Sequence, residues 1–270
     1  MIDYLPFLIW PFLASLVLVG IHVYFGLHVI KREIIFVDLS LAQVAALGVT
    51  IAVLFGYGHD GAVSYVFAFV FALIGGTIFT FTREMQEKVP QEAIIGIVYA
   101  VSSAAAILAV SHSPEGAEHI RYLLVGSLLT VTPAAVGKTA AVYAIVGLFH
   151  WLARSKFLPL SFNGQGHSKS ARFWDFLFYA SFAVVVTSSV KICGVLLVFV
   201  FLVVPSVFAA LLTDRIGMRL LYGWLFGFLG SAVGIVMSFW LDTPTGATVV
   251  ATFGAMLLLF FGLRTVALKQ

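Results

Sequence analysis

The chain has 270 residues, of which 61% are hydrophobic and only 10% charged, with 26 phenylalanines and a mean hydropathy of +1.09. Soluble domains carry about a quarter of their residues as Asp, Glu, Lys or Arg, so this composition excludes one and leaves a polytopic membrane protein, residues 1–270 forming a single all-α transmembrane bundle. The net charge of +3 comes from basic residues gathered in a few loops, which reports membrane orientation and gives no support for nucleic-acid binding, and the single cysteine, Cys193, cannot close an internal disulfide.

A crossing needs about 20 apolar residues to cover roughly 30 Å of hydrocarbon. The first apolar run, 7–30, has no Lys or Arg ahead of it, so it is expected to be a membrane span and not a cleavable leader. Further spans are predicted at 34–55, 62–82, 92–111, 134–153, 173–190, 192–212, 219–240 and 245–263, about eight to nine in all. Between them, "RYLLVGSLLTVTP" (121–133) is too short and too interrupted for a crossing and is expected to be an interfacial or re-entrant piece. The longest polar stretch, 154–172, is expected to be a loop.

Basic residues collect in cytoplasmic loops. Lys31 and Arg32, Arg83 and Lys88, Arg154, Lys156, Lys169 and Arg172, Arg215 and Arg219, and Arg264 and Lys269 occupy alternate connections, which assigns those to the cytoplasm. The N-terminus is then outside and the C-terminus inside.

Polar groups within the spans are the candidates for function, because each must find a partner or a water-filled passage. Asp38 lies about 6 Å into the second span at 1.5 Å per residue, within reach of Lys31 or Arg32, and reads either as an interfacial anchor or as a functional acid. Gln43 lies near mid-span among small residues in "AQVAALG", and either bonds a neighbouring helix or lines a pathway. Five residues at about 100° each place the two on different faces, and Leu39 and Ser40 share the Gln43 face instead. His22 on the first span is the one good transition-metal ligand in this set, against a packing role as a hydrogen-bonded histidine, while Tyr99, Ser102 and Ser103 occupy the middle of the fourth. The sequence has no GxxxxGK[ST], HExxH or GxSxG motif, so no enzymatic activity is expected of this chain and any energy source lies elsewhere.

Four stretches carry a family resemblance. "VKICGVLLVFVFLVVPSVFAALL" (190–212), "WLDTPTGATVVA" (240–251), "AIIGIVYAVSSA" and "YLLVGSLLTVTPAAV" resemble, in the same order, segments of the metal-type ABC transporter permeases. The resemblance implies a permease that pairs with a second copy or a paralogue to enclose one pathway for zinc, manganese or iron. It also implies two ATP-binding cassette ATPase subunits on the cytoplasmic side and a metal-binding solute protein outside. The missing phosphate loop would then be on a partner chain.

Two departures stand out. The family commonly carries Asp-x-x-x-His on its second span as metal ligands; alignment on Gly48 puts the histidine position on Gln43 and the aspartate position on Leu39, with Asp38 one residue out of register. An amide suits hard, oxygen-preferring ions better than Zn²⁺. Metal contacts are therefore expected of His22 and Asp38, with Gln43, Tyr99 and Ser102 along the pathway. Where the family places an Asp-Pro-Glu-x-x-Ala-like coupling helix, this chain has "LSFNGQGHSKSAR", so Phe162, Asn163, Gly164 and Gln165 are expected to meet the ATPase. The alternatives are a secondary transporter driven by an ion gradient, which would show a repeat and midplane acids, and a non-transporting membrane scaffold.

Overall fold

The computed structural model describes residues 5–58, 61–111, 126, 128–162 and 169–267. Among them are nine α-helices and no strand: α1 (Leu5–Lys31), α2 (Val37–Leu54), α3 (Ala62–Thr82), α4 (Gln91–Val110), α5 (Pro133–Leu152), α6 (Arg154–Phe162), α7 (Lys169–Leu212), α8 (Ile216–Leu241) and α9 (Thr245–Ala267). Eight of these, all but α6, are long and apolar enough to cross a membrane. Helices are the expected solution, since hydrocarbon offers the backbone no hydrogen-bond partner and a helix satisfies its own.

Helix α7, at 44 residues, is too long for one crossing and is broken at Gly194 (φ 74, ψ 167), a conformation that only glycine adopts without strain. Its two halves flank the same stretch of α1. Phe178 packs on Phe25 with ring centroids 5.5 Å apart, while a Cβ on Gly26 would stand 2.0 Å from the carbonyl oxygen of Leu202. Residues 178 and 202 would be about 36 Å apart on a straight helix, so α7 is sharply bent and contributes two segments. This places the expected break between 190 and 192 within a few residues of where it occurs. Gly126, also at positive φ (67), fits against the bend, and a Cβ there would meet the backbone of Cys193 and Gly194 at 2.2 Å. Close to it, the 3₁₀ turn Leu128–Thr130 buries Leu128 in the core, and Thr132 caps α5 by accepting the Ala135 N–H at 3.2 Å.

Helices α1 and α7 form the centre. Helices α2, α3 and α4 pack together on one side, with α2 and α3 against α7; α8 and α9 pair on the other, and α5 and α6 lie along α1 and α7. The core between them is aromatic, with Phe25, Phe157, Phe178, Tyr179 and Phe182 fully buried. The polar stretch from 154 onward, expected to be a loop, is helical from Arg154 to Phe162 and again from Lys169. The reason is tertiary: Phe157, Leu160 and Ser161 are buried against α1 and α7, so burial holds a helix that the polar composition alone does not demand.

Candidate translocation pathway

Helix α2 is packed on nearly every side. Ahead of its last turn, where Val53 and Leu54 are uncovered, the exception is a stripe of half-buried positions at Leu39, Gln43, Leu47 and Ile51, spaced by four and so on one face. Gln43 is the one polar group on that stripe, and its amide has no hydrogen-bond partner among the described residues. Because Gln43 is half-buried, its amide stays accessible from outside the single chain.

Asp38, in the first turn of α2, is 1% exposed, and among the described residues neither of its carboxylate oxygens has a side-chain partner; the Ser40 hydroxyl is buried and unpaired among them as well. The positive end of the helix dipole is the compensation nearest Asp38. The expected anchor to Lys31 or Arg32 is not formed. Lys31 is exposed, and Arg32 turns the other way to donate to Asp175 Oδ1 at 2.9 Å and to Ser161 Oγ at 2.7 Å, its guanidinium lying 3.9 Å over the Phe178 ring. A site with two acceptors and an aromatic face outcompetes one carboxylate. A second acid stands at the start of α2: Glu92 Oε1 accepts the Phe36 N–H at 3.0 Å, and its Oε2 is buried and unpaired.

His22 is fully buried on the central helix α1. Its Nδ1 donates to the Leu18 carbonyl (2.7 Å), which leaves Nε2 as the lone-pair end, 3.1 Å from Ser189 Oγ; Tyr143 bonds the same hydroxyl. This is the tautomer that a metal-binding imidazole adopts, but both nitrogens are occupied, and no group of three His, Cys, Asp or Glu among the described residues could hold a metal ion. His22 and Asp38 are thus not brought together. On α4, Ser102 is buried, whereas Tyr99 is 40% exposed and points away from the packed face.

At the other end of the polar set, α6 is tied down. Ser161 Oγ accepts from Arg32 Nε at 2.7 Å and forms a second hydrogen bond with His28 Nδ1, also at 2.7 Å. Phe162 packs edge-on against the His28 ring at 5.4 Å and is only half-exposed; Asn163, Gly164 and Gln165 lie outside the described residues.

Residues 4–264 match the ABC 3 transport family. The chain belongs to that family. Among ABC 3 relatives it is 24% identical, over 74% of each chain, to a "Probable iron transport system membrane protein" of Haemophilus influenzae. It is 21% identical to the "Manganese transport system membrane protein MntC" of Listeria monocytogenes, over 83% of this chain and 79% of that one. Among solved structures, PsaBC from Streptococcus pneumoniae, in complex with a Fab, superposes with a TM-score of 0.79 at 20% identity, covering 100% of this chain and 98% of that chain. The ABC 3 architecture is therefore shared, and the chain is a multi-pass membrane protein of a transport family.

Within this ABC 3 chain several polar residues escaped the sequence reading: His28, His150, Tyr24, Glu92 and the pair Arg32 with Asp175. His28 and Arg32 are four residues apart and so share a helix face, a signal that was present. Their partners were not readable, because Ser161 and Asp175 lie 133 and 143 residues away along the chain.

Proposed function

We propose that this chain is the permease subunit of an ABC importer for a divalent transition-metal ion, zinc, manganese or iron, with the ion as cargo. The observation that carries this reading is the α2 stripe: ahead of the last turn, where Val53 and Leu54 are also uncovered, the helix is buried except for Leu39, Gln43, Leu47 and Ile51, with one amide in the middle that is unpaired among the described residues. A second copy or a close relative would cover that stripe and enclose a pathway between the two α2 helices. The names of the iron and manganese relatives support the choice of cargo.

In this reading Gln43 replaces part of the ion's hydration shell with an uncharged oxygen, tight enough to admit an ion and weak enough to release it, and suited to harder ions such as Mn²⁺. Asp38 and Glu92 supply negative potential at the α2 start. ATP is hydrolysed by a separate ATP-binding cassette subunit docking on the α6 side, and an extracytoplasmic solute protein delivers the metal. Counting both halves of α7, nine segments would leave the termini on opposite sides, and the alternation of basic connections supports an N-terminus outside and a C-terminus in the cytoplasm.

Metal uptake into vesicles bearing this chain with and without its ATPase tests the function: uptake that needs ATP and the ATPase is expected, and uptake driven by an ion gradient alone would make it a secondary transporter. Single cysteines at Asp242 and Lys88, both exposed, test the orientation. An impermeant reagent should label the first and spare the second in whole cells.

A further inference from the structure

Helix α6 has little of its own to hold it in place. It is nine residues long, its first three positions are exposed, and Pro159 inside it removes a backbone donor. Its inner face is held in two ways. Phe157 is fully buried and stacks on His150 with centroids 4.1 Å apart, and the neighbouring residues Leu160 and Ser161 close a polar ring. Ser161 Oγ accepts from Arg32; Arg32 pairs with Asp175 at 2.9 Å; Asp175 also pairs with Arg83; and Arg83 donates to the Leu160 carbonyl at 3.2 Å, one peptide bond from Ser161. The ring joins α6 to the end of α1, the turn after α3 and the start of α7.

Two guanidiniums, one buried and one partly exposed, sharing one buried carboxylate are a poor way to gain stability, since well-packed apolar residues of the same volume do as well or better. What such a ring supplies is position: its bonds hold in one arrangement and weaken steeply with displacement or misalignment. We propose that Ser161 is the positioning residue that couples α6 to the pathway. Its hydroxyl accepts from Arg32 and is hydrogen-bonded to His28, and so grips two successive turns of α1 on one face. A shift of α6 therefore moves Arg32, from which only the turn 33–36 leads to α2 with Asp38 and Gln43. The same shift reaches α7 through Asp175.

This inference rests on the permease reading, and the test separates the two. The complex of permease, ATPase and solute protein is reconstituted in liposomes, and Mn²⁺ taken up per ATP hydrolysed is measured for wild type, Ser161→Ala and Ser161→Thr. With Ser161→Ala, ATP hydrolysis per assembled complex should stay within about twofold while ions moved per ATP fall about tenfold, the scale of a typical coupling free energy. Ser161→Thr, which keeps the hydroxyl, should retain most of the wild-type ratio. Should Ser161→Ala fail to assemble, Arg32→Lys gives the reading, because it keeps the charge on Asp175 but lacks the fork that also reaches Ser161; the same drop in the ratio is expected. An unchanged ratio in either variant, with uptake and hydrolysis falling in proportion, reduces the ring to packing and leaves the permease reading intact, and so does a threonine variant as uncoupled as the alanine one. Wild-type uptake that needs no ATP overturns both.

Discussion

Arg32 and Asp38 are six residues apart, both buried, and treated in opposite ways by the fold. Arg32 sits in a ring with Asp175, Ser161 and Arg83, in which its Nε and one terminal nitrogen are both bonded. Asp38 and, one turn further in, Gln43 have no side-chain partner among the described residues. At the Arg32 ring the chain supplies most of the partners itself, although Arg32 Nη2 and His28 Nε2 stay unpaired among the described residues; at Asp38 and Gln43 it supplies no side-chain partner among them. Unpaired buried polar groups cost stability, so a fold that keeps them has a use for them.

The comparison is broken most forcefully at Asp175. Asp175→Ala leaves two guanidiniums facing each other and should cost ~3–5 kcal/mol, as removing one partner of a buried pair does. Thermal unfolding in detergent should show a large loss or no folded protein; a small change would place the ring in contact with water. Gln43→Leu comes next and works in the opposite sense. Its stability should stay within ~1 kcal/mol of wild type, since no bond is lost, while metal uptake drops by tenfold or more. Gln43→His should restore uptake and shift preference toward zinc through imidazole. Wild-type uptake and selectivity in both would make Gln43 a packing residue.

Asp38→Asn sharpens the contrast with Arg32. Because the carboxylate is buried without a partner, neutralising it should leave stability unchanged or raise it by about 1 kcal/mol, the reverse of what an ion-paired anchor would show. A clear drop in melting temperature would mean a hidden partner. The smallest effect is expected at Tyr99→Phe: with the residue 40% exposed, loss of the hydroxyl should change stability by less than ~0.5 kcal/mol, measured in the same melts. A fall in uptake there would return Tyr99 to the pathway.

The span positions were readable because each crossing must be an apolar run of fixed length, a constraint local in sequence. The bend in α7 was readable for the same reason: an apolar run from 173 to 212 exceeds one bilayer and contains a glycine near its middle. The helix at 154–162 was not, since its polar surface reads as a loop and only burial of Phe157 and Leu160 reveals it. Gln43 could be singled out as a mid-span amide, but that its stripe is left half-buried while the rest of mid-α2 is covered depends on where α3, α4 and α7 pack.

From the sequence alone came the class, the approximate span map and the short list of intramembrane polar residues, all consequences of solvation: hydrocarbon rejects what it cannot satisfy, and that rejection is written residue by residue. Only the tertiary structure decided which of those residues are partnered. Pairing Arg32 with Asp175 instead of the nearby Asp38 brings together groups 143 residues apart, and the choice turns on the second acceptor at Ser161 and the Phe178 face, which exist as one site only once α1, α6 and α7 have packed.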